Sequence, residues 1–396
     1  MTGIPAVPDD HLPPGAFTVT PPRYGVASLA DLLPSVSAVL GVPGTDDVLG
    51  LRDVLGGVRR IAVLLVDGLG AYQIPLLAPH APLLADLTAG NGGLTAGFPS
   101  TTPVSLVTLG TGARPGAHGI LGFTVRRPDG RILNHIRWGD DPDPRSWQPV
   151  PTRFESAAAA GVAVTVVSRP EYDGSGLSVS ANRGATFTPA AGADALALGM
   201  LRALRRGTGP ALVYGYHPEL DHQGHECGVD SAEWQEAACG VDLLLDRLVT
   251  GLPAGAALLV TGDHGQLNVP PDRRLDLDSD PALRAGVTAV AGEPRIRYLH
   301  TADGARDDVL AAYRAVLGDH AWVAARDEVI EQGWYGRVPP DHLDRIGDVV
   351  IVCLGRTIVL ASGTEPPKAG ELVAYHGSVT AAEMTVPLLR FVRPPG

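Results

Sequence analysis

The chain is 396 residues long and 45% apolar, enough to bury one large core with a smaller insertion rather than a string of modules. Its 31 Lys and Arg against 43 Asp and Glu give a formal net charge of -12, and with no basic run to reverse it that field repels a nucleic-acid backbone, so no nucleic-acid duplex is expected as a partner. Three widely spaced cysteines, Cys227, Cys239 and Cys353, form no CxxC pattern, which argues against a disulfide framework or a thiolate metal site and fits a reducing, cytoplasmic setting.

Residues 1–25 carry Pro5, Pro8, Pro13, Pro14, Pro21 and Pro22, a composition that sustains neither helix nor buried strand and reads as an extended N-terminal arm. The opening segment has no basic region followed by an apolar one, so it does not read as a secretory signal. No apolar run is long enough to cross a bilayer, and no membrane is expected as a partner.

From Arg60 the run IAVLLV is continuously apolar and stops at Asp67-Gly68, the pattern of a parallel strand buried on both faces and ending in a loop. VAVTVVS at 162–168, ALVYGY at 211–216 and AALLVTG at 256–262 repeat it, separated by helical stretches. In one of these Val241, Leu244, Leu245 and Leu248 share a face. Strands alternating with helices predict an α/β fold, a mostly parallel central sheet covered by helices on both faces. Between 280 and 344 the texture changes to VTAVA, RIRYLHT, DDVLAAYRAVLG and WVAARDEVIEQGWYG, read as a small inserted α+β cap. DVVIVCLG and TIVLASG then read as the return to the core. The catalytic domain is therefore expected over 26–279 and 345–396.

In open α/β sheets ligands sit beyond the carboxyl ends of the strands. Asp67 follows the first apolar run, Asp221 and His225 in DHQGH follow the third, Asp263 and His264 in GDHG follow the fourth, and His376 stands in YHGS near the C-terminus. Alone, Asp67-Gly68 or GDHG reads as a turn and a single His as a satisfied residue. Together these oxygen and imidazole donors suit zinc, with manganese the alternative, better than calcium. The spacing of four between Asp221 and His225 puts both on one side of a helical turn.

GFPSTTPVSLVTLGTG supplies a hydroxyl. A helix beginning at Thr102 has a hydroxyl cap and a proline at its first position, and such an N-terminus attracts phosphate as readily as it needs a cap. The segment RRPDGR at 126–131 reads as a hairpin turn. No GxSxG elbow is present, against a serine esterase, and GLG at 68–70 lacks the GxGxxG spacing of a dinucleotide site.

The ordered set LLVDG, PSTT leading into TGARPGAHGI, DxxxH, TGDHG and a late HG resembles the alkaline phosphatase superfamily, closest to its nucleotide pyrophosphatase/phosphodiesterase branch. The resemblance runs from about Arg60 to Pro394, outside the cap. It implies two divalent cations, one held by Asp221, His225 and His376, the other by Asp67, Asp263, His264 and the oxygen of the nucleophile. Pro99 and Thr111 both point to Thr102 as that nucleophile, with Thr101 selected instead by a T-x-P reading. The branch carries an Asn after its HGI segment and another three residues after the nucleophile, where this chain has Phe123 and Ser105. His118 matches a structural position of the family and His222 matches no ligand. The resemblance thus implies a hydrolase of phosphoric esters acting on a small phosphorylated substrate through a phosphothreonine. A phosphomonoesterase, phosphonate or sulfate ester hydrolase on the same scaffold is the first alternative and a non-catalytic metal-binding module the second; no C-x-P-x-R segment marks a sulfatase with a modified cysteine. Oligomeric state is left open.

Overall fold

The computed structural model describes residues 10–88 and 92–394. Its centre is a seven-stranded sheet in the order Gly93–Thr95, Thr385–Arg393, Ala256–Thr261, Arg60–Val66, Ala211–His217, Ala163–Ser168, Thr186–Pro189. Arg60–Val66 runs parallel to both neighbours, and Ala163–Ser168 runs parallel to Ala211–His217 and to Thr186–Pro189. Only Thr385–Arg393 opposes its neighbours, Ala256–Thr261 and Gly93–Thr95. The mostly parallel sheet expected from the alternating pattern is present.

The continuous apolar runs have a two-sided cause. Alternate side chains of a strand point to opposite faces. Ile61, Val63 and Leu65 pack into one core with Val104, Val107 and Phe154, whereas Ala62, Leu64 and Val66 pack into another with Leu196, Met200 and Leu204. The second core also receives Val241, Leu244, Leu245 and Leu248 from the helix Ala232–Gly251, the face anticipated from its spacing. Ser231 starts that helix by accepting the Trp234 N–H at 3.2 Å.

A second, antiparallel sheet runs Val287–Glu293, Ile296–Thr301, Val349–Cys353, Ala321–Ala325. DVVIVCLG, read as the return to the core, forms Val349–Cys353, an inner strand of the small sheet, so that sheet extends past residue 344. TIVLASG does not rejoin the large sheet either, since Ile358–Leu360 pairs with Arg274–Asp276. A short apolar run carries no information about which sheet will take it. One face of the small sheet, with Ile296, Tyr298, Val350 and Val352, joins the first core. The other, with Leu299, Val349, Ile351 and Cys353, packs on Val309, Leu310, Tyr313 and Leu317 of the helix Arg306–Leu317.

Of the N-terminal arm, residues 1–9 lie outside the described residues. The remainder is docked rather than free: Pro14–Phe17 forms a 3-10 turn, Ala16 is fully buried, and the Thr20 N–H donates to Val379 O at 2.8 Å. Asp10, also fully buried, accepts a two-point contact from Arg356 and the Asn268 N–H at 2.8 Å. No helix among the described residues is long and apolar enough to cross a membrane.

Candidate active site

Three loops at the carboxyl end of the large sheet and two segments packed over them bring the anticipated residues together. Asp67 follows Arg60–Val66 and its N–H continues the ladder to His217 O at 2.9 Å. Gly68 then turns with φ +75°, and a Cβ there would lie 2.9 Å from the Asp221 Cα; the two loops approach this closely only with glycine at that place. Asp221 and His225 lie on the helix Glu219–Cys227, one turn apart as the spacing implied. Asp263 and His264 follow Ala256–Thr261, and His376 follows the short strand Ala374–Tyr375. Thr102 is the first residue of the helix Thr102–Thr111, with Thr101 in the capping position and making no capping bond. The proline therefore falls at the second helical position rather than the first.

Two groups of potential ligand atoms result, Asp67 with Asp263 and His264, and Asp221 with His264 and His376, the atoms of each lying within 4.8 Å of one another. Thr102 Oγ1 lies 3.1 Å from His264 Nε2, which is 3.3 Å from Asp263 Oδ2 and 3.5 Å from Asp67 Oδ1. His225 Nε2 lies 3.4 Å from Asp221 Oδ2 and 3.1 Å from His376 Nε2. The rings of His264 and His376 stack at 3.5 Å. Thr101 instead has its hydroxyl beside Glu293, where it opposes the burial that pushes that carboxyl up to about 8. His118 is fully buried and closes its turn through Thr108 Oγ1 at 3.0 Å and the Ile120 N–H at 3.2 Å. His222 is exposed. The RRPDGR hairpin forms between Thr124–Arg126 and Ile132–Asn134 and rests on the small sheet, Thr124 Oγ1 donating to Gly292 O at 2.8 Å.

The electrostatics call for cations. Burial, then Asp221 and Asp263, hold the Asp67 carboxyl well above the usual range. Burial also raises Asp263 and Asp221. Asp67 Oδ1 and Asp263 Oδ2 are buried without a hydrogen-bond partner. The two histidines make the same point. His225 Nδ1 bonds Ala374 O at 2.8 Å and His376 Nδ1 bonds Ser100 O at 2.9 Å; a carbonyl only accepts, so each Nδ1 carries the proton. Both Nε2 atoms are then bare lone pairs, facing each other at 3.1 Å. Burial, then His264 and His225, keep His376 well below the ordinary imidazole range. Three carboxylates and three imidazoles with inward lone pairs fit divalent cations.

The sequence reading missed the groups that orient these candidate ligands. Tyr216 donates its hydroxyl to Asp67 Oδ2. The N–H groups of Gly68 and His264 both donate to Asp263 Oδ1 at 3.1 Å. Gln266 donates to Asp221. Arg295 and Glu383, both with fully buried side chains, join the small sheet to the His376 loop, since Glu383 Oε1 also accepts the Ser378 N–H at 3.0 Å. Tyr216 and Gln266 stand at strand ends beside candidate ligands, the one cue that the sequence offers.

The family model described as type I phosphodiesterase / nucleotide pyrophosphatase matches residues 61–379. No curated protein matches the chain in sequence. Among solved structures the fold is similar to an inactive form of murine ectonucleotide pyrophosphatase/phosphodiesterase 5 in complex with AMP, with TM-score 0.66, 19% identity, and 83% of this chain and 87% of that chain covered. The human counterpart gives TM-score 0.64 and 18% identity over 84% and 87%. Phosphonoacetate hydrolase from Sinorhizobium meliloti, in complex with phosphonoacetate, gives TM-score 0.62 and 20% identity over 84% and 90%. With its motifs in family order and the family model spanning most of its length, the chain belongs to the type I phosphodiesterase / nucleotide pyrophosphatase family, within the alkaline phosphatase superfamily.

Proposed function

We propose that the chain is a two-metal phosphodiesterase that cleaves small phosphorylated substrates, nucleotide pyrophosphates among them, through a phosphothreonine on Thr102. The observation that carries this reading is the 3.1 Å approach of Thr102 Oγ1 to His264 Nε2 at the meeting point of the two ligand groups. Asp221, His225 and His376 hold one cation and Asp67, Asp263, His264 and Thr102 Oγ1 the other; zinc suits this donor set, with manganese the alternative. When bound, the cations supply Lewis acidity, making the threonine oxygen nucleophilic near neutral pH and neutralising the phosphoryl group and the departing oxygen. Thr102 Oγ1 attacks phosphorus in line, forming the threonine phosphoester as the bond to the leaving alcohol or phosphate breaks; water then attacks the same phosphorus and restores the hydroxyl. The start of the helix presents its N–H groups to the phosphoryl oxygens. Cysteines left unpaired support a reducing, cytoplasmic compartment.

Phe123 and Ser105 at the two positions where the branch carries Asn favour a second reading, phosphomonoester or phosphonate hydrolysis on the same scaffold, and phosphonate chemistry has a precedent in the similarly folded phosphonoacetate hydrolase. Rates on bis-p-nitrophenyl phosphate, p-nitrophenyl phosphate and phosphonoacetate, with EDTA-treated protein reloaded with zinc or manganese, separate the readings. A metal-dependent preference for the diester is the expected result. Preference for the monoester or phosphonate selects the alternative, and full metal loading without turnover on any of them selects a non-catalytic module.

A further inference from the structure

The three carboxylates of the site share a design. Each has one oxygen tied by a neutral donor of the protein, leaving the other for the centre: Asp263 by two backbone N–H groups, Asp67 by the Tyr216 hydroxyl, Asp221 by the Gln266 amide. A neutral donor orients a carboxylate without cancelling the charge that a cation needs, which a Lys or Arg in the same place would do.

Gln266 is 1% exposed and its amide nitrogen is held at two points. Its Nε2 faces both the main-chain oxygen of Asp221, at 3.1 Å, and Asp221 Oδ1. Two acceptors fix the amide orientation, because only the NH2 end satisfies them. Its Oε1 presses on the helix that carries Asp221 and His225, where a Cβ at Gly224 would lie 1.8 Å away. Gln73, itself fully buried, donates to the main-chain oxygen of Gln266. Tyr216 sets its ring edge-on to Tyr172 at 5.9 Å and its hydroxyl on Asp67.

We propose that Gln266 and Tyr216 are positioning residues that divide the two cations between them, Gln266 aligning Asp221 for the ion shared with His225 and His376, and Tyr216 aligning Asp67 for the ion shared with Asp263 and His264. This rests on the two-cation reading above. Loss of such an orienting partner lowers metal affinity by about 10- to 100-fold. Because the donors act on different carboxylates, the losses fall on different ions.

The test is Co2+ titration of metal-free full-length protein, followed by visible absorption and by competition with a chromophoric chelator, with H225A and D263N as references whose remaining spectrum belongs to one ion each. Gln266→Met, close in volume but unable to donate, weakens by about 10- to 100-fold the equivalent that H225A removes and leaves the D263N equivalent at wild-type affinity. Tyr216→Phe does the reverse. Gln266→Glu keeps the side-chain shape and gives the same loss should the Met variant not fold, folding being read by circular dichroism of the metal-free protein. Two equivalents bound by Q266M and Y216F as tightly as by wild type overturn the inference while leaving the two-cation reading intact. Both variants weakening the same equivalent overturns the division of labour, and a wild-type protein that takes up no Co2+ overturns both.

Discussion

The Arg295 guanidinium and the Glu383 carboxylate meet in a two-point pair, Nε to Oε1 at 2.9 Å and Nη2 to Oε2 at 2.6 Å, with both side chains fully buried. Arg295 sits in the turn between two strands of the small sheet, and its Nη1 also donates to Thr357 O at 2.6 Å. Glu383 lies just before the last strand of the large sheet and its carbonyl accepts the Gly265 N–H at 3.0 Å, so the pair touches the His264 and His376 loops at once. Breaking one partner leaves an uncompensated buried charge, and Arg295→Met is expected to destabilise by about 3–5 kcal/mol. The double variant R295M/E383L should lose less than either single change. Urea unfolding of the three proteins checks this.

Thr102→Ala should abolish turnover while the protein still binds its cations through the six Asp and His side chains, whereas Thr101→Ala should keep turnover within about tenfold of wild type. Parallel measurement of kcat and metal content decides. Normal turnover by the Thr102 variant would transfer the nucleophile to Thr101 or end the covalent mechanism.

Removing the cations leaves Asp67, Asp221 and Asp263 repelling one another in a buried site. EDTA should therefore lower Tm and zinc should restore it, because a ligand held only by the folded state stabilises it. Asp263→Asn keeps the oxygen that accepts from Gly68 and His264 but deletes one charge. Metal-free D263N should melt about 2 °C above metal-free wild type while binding zinc more weakly, an inversion that a purely structural Asp263 would not give.

Burial holds His135 and His300 down to about 4, below the 6.5 of an unfolded imidazole. Between those values the unfolded chain binds more protons, so this stability is complete above about pH 6.5 and is lost as pH falls toward 4, by about 3 kcal/mol for each histidine at the acid limit. Glu293, raised to about 8, works in the opposite sense: its contribution is present below about pH 4.5 and is lost as pH rises through 8. The two histidines give the denaturant midpoint of metal-free protein a downward slope from pH 7 to pH 4, which Glu293 and the raised site carboxyls Asp67, Asp221 and Asp263 oppose. His135→Gln should flatten that slope.

The large sheet was legible because a strand buried on both faces leaves an unbroken apolar run, as Arg60–Val66 does. The gathering of the candidate ligands was legible because a sheet of this kind sends such residues to its carboxyl edge, and the Asp221–His225 spacing survives into the helix unchanged. The sheet that takes Val349–Cys353 was not legible, because its apolar run is buried like that of 61–66 and burial does not say in which sheet. The arm over residues 10–25 was read from its prolines, which disfavour helix and strand but place no bar on docking. Asp10 finds its partner Arg356 near the other end of the chain, and such long-range pairing leaves no local pattern. Gln266 and Tyr216 escaped because a donor to a ligand has no composition of its own.

The small sheet does not stand apart from the rest. Tyr298 donates its hydroxyl to Leu121 O at 2.6 Å and meets Tyr335 at 2.9 Å, while Phe98, just before the Thr101–Thr102 pair, packs on Trp334 and Tyr335 at 5.1 Å each. Swinging this sheet outward would tear open the core that also supports Thr102. It is a fixed wall of that core. For the same reason, transplanting the segment from a relative to alter substrate range would succeed only if Phe98, Leu121 and their contacts were exchanged with it.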